Sequence, residues 1–263
     1  MTMTDPEAQL TVVAIPCLQD NYAWLLQDRT TGATAVVDVP EAAPILKALG
    51  ERGWSLGQIL LTHHHDDHIA GVADLVAATG AKVYGAAADA HRLPHLDRAL
   101  RPGDEVRIGA ERAVVLDVPG HTRGHIAFHF PEARAVFTGD SLMAAGCGRL
   151  FEGTAAEMWA SLSQFLDLPD DTLIGSGHEY AQTNLRFALS LTPGDPAVVA
   201  RAADVAALRA DGLPSLPVTL GEERATNPFL RAADPDYRAA VGGKGETAVE
   251  TFARLRLLRD GFR

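Results

Sequence analysis

The chain has 263 residues, of which 47% are hydrophobic and 22% charged, with a formal net charge of −11. This excludes a mainly disordered chain and allows one large core, or an ordinary domain with a smaller one behind it. The acidic balance argues against a nucleic-acid partner, whose phosphates need Lys and Arg, so any anionic substrate must meet a local basic patch.

Met1 to Leu10 carries acids and no Lys or Arg, and no 18-residue apolar run follows it, so neither export nor a membrane span is expected. Short β-branched runs bounded by turn residues then predict strands at Val12–Ile15, Ala35–Val37, Ile59–Leu61, Val114–Leu116 and Ala135–Phe137. Between them, Pro44 to Arg52 and Val72 to Thr79 are apolar at helical spacing, with Gly53 and Gly80 as stop signals. Past Gly177 the β-branched runs thin out, and Tyr180 to Leu191, Pro196 to Ala210 and Ala248 to Arg259 read as helices. Strands mixed with helices make the class α/β or α+β, with a mostly helical tail from about residue 179. Cys17 and Cys147 lie far apart and form no CxxC pair, which suggests no disulfide framework and a reducing cytoplasm. Nothing demands more than a monomer.

Chemistry gathers at the ends of the predicted strands, where loops can converge. Directly after Ile59–Leu61 come His63, His65, Asp67 and His68 in HxHxDH spacing. Imidazole and carboxylate donors at that density suit zinc, iron or manganese. In a tight loop His63 and His65 can face one side while Asp67 and His68 turn to another, so the segment can serve two ions. Three further donors follow a glycine in similar contexts: His121 in Pro119–Thr122, Asp140 in Phe137–Ser141 and His178 in Gly175–Glu179. Glycine permits close backbone approach and positive φ, as a crowded centre requires. His125 reads as a hydrogen-bonding neighbour, and His91, His95 and His129 as surface or packing residues.

In this order, strand-Asp, HxHxDH, Gly-His, Gly-Asp and Gly-His, the motifs over residues 12 to 180 resemble those of the metallo-β-lactamase superfamily. The resemblance implies an αββα sandwich, residues 1–178, with a smaller C-terminal helical domain, residues 179–263. It also implies two divalent metal ions, zinc first and iron or manganese otherwise. His63, His65 and His121 would hold one, Asp67, His68 and His178 the other, and Asp140 would bridge them. Asp38 would stand behind the ligands and hold one imidazole in its tautomer. His64 and Asp66 occupy variable positions of the motif and are left out.

Two cations about 3.5 Å apart can share a hydroxide at neutral pH, able to attack a carbonyl while the ions stabilise the oxyanion. A thiolate, with a pKa near about 8.5, departs without prior protonation, so a site lacking an obvious general acid suits thioesters. The segment Ala145 to Met158, AGCGRLFEGTAAEM, resembles glyoxalase II, the hydroxyacylglutathione hydrolases. So do Asp20 to Trp24, His178–Glu179–Tyr180 and Asn227 to Arg231. That resemblance implies hydrolysis of S-D-lactoylglutathione to glutathione and D-lactate, the second step of methylglyoxal detoxification. By motif position, Arg149, Phe151, Tyr180, Arg256 and Arg259 would meet the glutathione, with Phe151 where many relatives have Tyr. Phe252, Leu255 and Leu258 would form a packing stripe beside the last two arginines. The rival readings are a mononuclear-iron persulfide dioxygenase of the same superfamily, a phosphodiesterase or tRNA-processing nuclease, disfavoured by the acidic composition, and a non-catalytic module binding glutathione conjugates.

Overall fold

The computed structural model describes residues 2–3 and 9–262; most of the acidic start read above, and Arg263 of the expected 179–263 segment, lie outside the described residues. A first sheet runs in chain order through seven strands: β1 (Thr2–Met3), β2 (Leu10–Cys17), β3 (Asn21–Asp28), β4 (Thr34–Val37), β5 (Leu56–Leu60), β6 (Lys82–Ala86) and β7 (Arg98–Leu100). Up to β4 it is an antiparallel meander, and from β4 onward the pairs are parallel. Parallel neighbours need crossovers. Helix α1 (Ala42–Arg52) makes the first, and α2 (Asp66–Ile69) with α3 (Val72–Thr79) makes the second. Gly53 and Gly80 close α1 and α3 in the left-handed conformation, φ 65° and 70°.

The second sheet begins with β8 (Glu105–Ile108), β9 (Glu111–Asp117), β10 (Ile126–Phe130) and β11 (Ala135–Gly139). A two-stranded hairpin, β12 (Leu142–Met143) and β13 (Gly146–Cys147), follows, then α4 (Ala155–Phe165) and β14 (Leu173–Ser176), which lies parallel to β11. Every residue of β4 and β11 is buried, as expected of strands covered on both faces, which read as continuous apolar runs. The two sheets meet through Trp24 of β3, whose ring lies 5.8 Å from Phe137 of β11 and whose Nε1 donates to the Ser176 carbonyl at 2.9 Å.

The C-terminal third contains α5 (Ala181–Leu191), α6 (Pro196–Ala210), a short strand β15 (Val218–Thr219), α7 (Leu220–Thr226), α8 (Pro235–Ala240) and α9 (Ala248–Asp260). Its starts are chemically marked: Asp195 caps α6 ahead of Pro196, and Thr219–Glu222 and Thr247–Glu250 form reciprocal capping boxes on α7 and α9. This part is not wholly helical, because β15 pairs antiparallel with β14 and extends the second sheet. The expected α9 stripe also needs correction. Phe252 and Leu255 are fully buried, whereas Leu258 is 48% exposed, since a strict three-residue spacing drifts off one face of a 3.6-residue helix. Among the described residues no helix is long and apolar enough to cross a membrane.

Candidate metal centre

Asp38 follows β4, His63 follows β5, Asp140 follows β11 and His178 follows β14, while His121 lies in the β9–β10 connection. The carboxyl ends of the parallel strands therefore deliver donors to one place, as open sheets commonly do for ligands. Two glycines make the convergence possible. Gly139 has φ 48°, and a Cβ there would meet Thr62 Oγ1 at 2.4 Å; at Gly177 a Cβ would meet Asp140 Oδ1 at 2.4 Å and His68 Cε1 at 2.6 Å.

The donors fall into two sets. In the first, His65 Nδ1 lies 3.1 Å from His63 Nε2 and 3.0 Å from His121 Nε2. In the second, His178 Nε2 lies 3.3 Å from His68 Nε2 and 3.3 Å from Asp67 Oδ2, with His68 Nε2 3.6 Å from that oxygen. Asp140 stands between them: its Oδ2 is 3.5 Å from His121 Nε2 and 3.3 Å from His178 Nε2, and its Oδ1 is 3.4 Å from His68 Nε2. The single turn of α2 separates Asp67 and His68 from His63 and His65, and Asp66 is exposed. His64 points away, with Nδ1 3.1 Å from Asp89.

The far nitrogens of these rings are held by other groups. His68 Nδ1 is 2.9 Å from Asp38 Oδ2, His178 Nδ1 is 3.0 Å from Asp20 Oδ1, and His121 Nδ1 is 2.9 Å from the Arg149 carbonyl. With Nδ1–H donating, each Nε2 keeps a lone pair, and these lone pairs crowd one another and the Asp67 and Asp140 oxygens. Such an assembly of acceptors is unfavourable unless cations sit among them. Asp140 Oδ1 is moreover buried without a hydrogen-bond partner. The donor set and this orphaned oxygen both fit divalent metal. A third close grouping, Asp38 with His63 and His68, does not make a site, because Asp38 is already engaged. Its Oδ1 accepts from Thr62 N at 2.9 Å, and its Oδ2 from Thr62 Oγ1 at 2.8 Å and from His68.

Charge follows the same division. Burial holds the His63, His65 and His121 imidazoles below the ordinary histidine range, so they are neutral donors at neutral pH. Burial opposes protonation of His68 and His178 too, but Asp140, with Asp38 or Asp67, outweighs it and pushes them up to about 10 and about 12. Asp140 itself is desolvated, yet those two imidazoles hold its carboxyl well below the usual range. Without metal, the second set thus draws protons into the place of a cation.

The centre opens on a cleft of about 440 Å³ lined by Arg149, Phe151, Tyr180, Asn184, Arg256 and Arg259 as well as by His65 and Asp67. All five residues expected to meet the substrate are therefore brought to the metal centre. Phe151 is 62% exposed at the lip, its ring 5.7 Å from His65 and 5.2 Å from His121. Tyr180 stacks on His178 at 4.7 Å and 9°. Arg259 reaches Asn184 Oδ1 through Nε at 3.3 Å and Nη2 at 3.2 Å. Arg256 is more committed to the protein: it is buried, donates from Nη1 to the Cys147 carbonyl at 2.9 Å, and pairs through Nη2 with Asp260 at 2.9 Å.

Several contributors carried no sequence signal of their own. Asp20 orients His178, and Asn21 Nδ2 donates to Asp67 Oδ2 and to the Asp67 carbonyl, both at 3.0 Å. In sequence they look like the turn between two strands, and only their place in the Asp20–Trp24 stretch flagged them. Thr62 is buried between Asp38 and His63. His125, by contrast, is the hydrogen-bonding neighbour expected from the sequence: its Nε2 accepts from Asp140 N at 3.1 Å while its ring stacks on His63. Cys17 and Cys147 are free and buried.

Two family models match the chain: the metallo-beta-lactamase superfamily over residues 20–178 and the hydroxyacylglutathione hydrolase C-terminus over residues 179–262. A hydroxyacylglutathione hydrolase from Fuscovulum blasticum is 62% identical over 253 residues, spanning 96% of this chain and 99% of that protein. Among solved structures, ETHE1 from Myxococcus xanthus is similar with a TM-score of 0.63 and 25% identity, covering 98% of this chain and 89% of its own. A protein crystallised in a di-iron-bound form has a TM-score of 0.59 and 29% identity, covering 83% of this chain and 99% of its own.

Proposed function

The chain belongs to the hydroxyacylglutathione hydrolases of the metallo-β-lactamase superfamily, and from that premise we propose that it cleaves S-D-lactoylglutathione to glutathione and D-lactate at a centre of two divalent cations. It is a metal-dependent thioester hydrolase with the αββα fold. That reading is favoured over the dioxygenase and the non-catalytic module, because near-full-length relatives at 55–62% identity all carry the hydrolase name.

The observation that carries the site assignment is the pair of donor sets joined by Asp140, whose buried Oδ1 has no hydrogen-bond partner. His63, His65 and His121 would hold one ion and Asp67, His68 and His178 the other, with Asp140 shared. Ions held there supply Lewis acidity and a water-derived nucleophile at neutral pH. Zinc is our assignment; iron and manganese suit the same donors.

The rest of the chemistry belongs to side chains on the cleft. Asp67 and Asp140 both line it and present carboxylate oxygens to the reacting centre. Asp38 and Asp20 keep Nδ1 of His68 and His178 protonated, so that Nε2 faces inward. The departing thiolate needs no proton donor, which agrees with a cleft wall built of arginines and rings. Arg149 and Arg259 are the cations free enough to take the glutathione carboxylates, since a guanidinium can bind a carboxylate bidentately. Arg256 shapes the wall beside them. Residues 1–178 form the catalytic domain and 179–263 the part that closes over the peptide. The enzyme is read as a cytoplasmic monomer without nucleic-acid or membrane partners, a setting that suits its two free, buried cysteines.

The test is direct. Purified protein should release free thiol from S-D-lactoylglutathione and contain two ions per chain by elemental analysis, and His63→Ala should lose both one ion and the activity. Two bound ions with no thiol release would overturn the substrate; no bound ion would overturn the centre.

A further inference from the structure

The hairpin that follows Asp140 is built from residues that cannot hold it by themselves. Its strands pair as Leu142 with Cys147 and Met143 with Gly146, leaving a two-residue turn, Ala144–Ala145. Such turns favour Gly, Asn or Asp because they need positive φ. Here Ala145 adopts φ 52° with a full side chain, and neither alanine offers a polar group to stabilise the bend.

What holds the turn comes from the C-terminal third of the chain. Glu223 of α7, fully buried, accepts from Ala145 N at 3.1 and 2.9 Å through its two oxygens. Asn227 Nδ2 donates to the Met143 carbonyl at 3.3 Å and the Gly146 carbonyl at 2.9 Å, and also to Glu223 Oε2 at 2.7 Å. Asn184 Nδ2 donates to the Ala144 carbonyl at 2.9 Å, and Arg256 Nη1 to the Cys147 carbonyl. Arg201 pairs with Glu223 from behind. Five consecutive hairpin residues thus have a backbone group satisfied by a side chain more than 30 positions away.

The two ends of the hairpin belong to the metal centre. Asp140 lies two residues before its first strand, and Gly148 N donates to the Ser141 carbonyl at 3.1 Å where the hairpin closes. A Cβ at Gly148 would stand 2.0 Å from the Asp140 carbonyl and 2.9 Å from His121 Nδ1, so there is no slack on that side. Arg149, next along, presents the carbonyl that accepts from His121 Nδ1.

We propose that Glu223 and Asn227 are positioning residues for the metal centre: by clamping the Met143–Cys147 turn they fix Asp140 and the Arg149 carbonyl, and through them His121. The C-terminal third then completes the metal site as well as the peptide cleft. The inference rests on the reading of the centre given above.

The experiment compares zinc affinity, measured by competition with a chromophoric chelator, and thermal stability in full-length wild type, Asn227→Asp, Glu223→Ala and Arg224→Ala. Asn227→Asp is isosteric but turns a donor into an acceptor facing two carbonyls and Glu223. Arg224 lies on the same helix, yet its bonds go to the Leu166 and Leu168 carbonyls and to Asp170; its loss loosens α7 without touching the hairpin. The expected result is zinc binding weakened about ten- to a hundredfold in Asn227→Asp and Glu223→Ala, the range typical when a group supporting a ligand is removed. Arg224→Ala should lower the melting temperature and leave zinc binding within about twofold. Should wild type bind two ions and the hairpin variants bind them equally well, or should Arg224→Ala weaken zinc binding as much as they do for the same loss of melting temperature, the positioning role is refuted. Wild type that binds no zinc would instead refute the centre itself.

Discussion

Replacing Asp38 by Asn isolates the electrostatic part of its role, because Asn tolerates the left-handed backbone that Asp38 adopts at φ 58°. Asp38 serves three donors: Thr62 N at Oδ1, and Thr62 Oγ1 and His68 Nδ1 at Oδ2. An amide cannot satisfy all three. With its oxygen at the Oδ2 position, the new NH2 group faces the Thr62 N–H, one bond is lost and two donors confront each other. With the amide flipped, NH2 faces His68 Nδ1, which must become an acceptor; the ring proton then moves to Nε2 and blocks the inward nitrogen. Hydrogen bonds involving a charged group contribute about 1.5–3 kcal/mol, so either outcome costs the second donor set on that order. That corresponds to roughly a ten- to hundredfold loss of metal affinity. Chelator competition should show one of two ions weakened by this factor, and thioester hydrolysis should fall at limiting metal and recover at excess. Unchanged affinity would refute the claim that Asp38 sets the His68 tautomer. Activity that stays low with both ions bound would instead assign Asp38 to the reaction.

Phe151→Tyr should lower KM for the glutathione thioester by up to about tenfold with little change in kcat, the worth of one added hydrogen bond of about 0.5–1.5 kcal/mol; the exposed lip leaves room for the hydroxyl, and an unchanged KM would mean that the peptide passes elsewhere. In chelator-treated protein, thermal stability should peak near about pH 6.5, the unperturbed histidine value. Below it, the unfolded chain takes up protons that the depressed His63, His65 and His121 refuse; above it, the stabilisation from His68 and His178 is lost as pH rises toward their raised values of about 10 and about 12. Bound metal should flatten the alkaline limb, and differential scanning calorimetry at several pH values with and without metal reads both limbs.

Much of this was legible in the residues. Helices Val72–Thr79 and Pro196–Ala210 and the strands around Val36 and Phe137 lie where periodicity and glycine stops put them. The donors stand out because imidazoles clustered after an apolar run have few other uses. Strand β3 lacks the β-branched pattern that marks a strand, broken by Asn21, Trp24 and Gln27, although tertiary packing buries all but one of its residues and makes Tyr22 to Leu26 core. Helix α4 has no glycine stop, and its marks are the Thr154–Glu157 capping box and the helical spacing of Met158, Leu162 and Phe165. Asp20 and Asn21 could not be told from turn formers, since their partners His178 and Asp67 are 158 and 46 positions away. Arg256 shows the opposite limit: motif position placed it at the cleft, but only the structure shows its guanidinium engaged by Cys147 and Asp260.

The short pairing of Val218–Thr219 with Leu173–Ile174 bears on how this protein could be cut. A fragment stopping at residue 178 would bare the outer rim of the second sheet, presenting unpaired amides and carbonyls as a template for neighbouring molecules. Self-association of such a truncate would thus have a local cause, a missing edge partner, and the two segments are better handled as a single translation product.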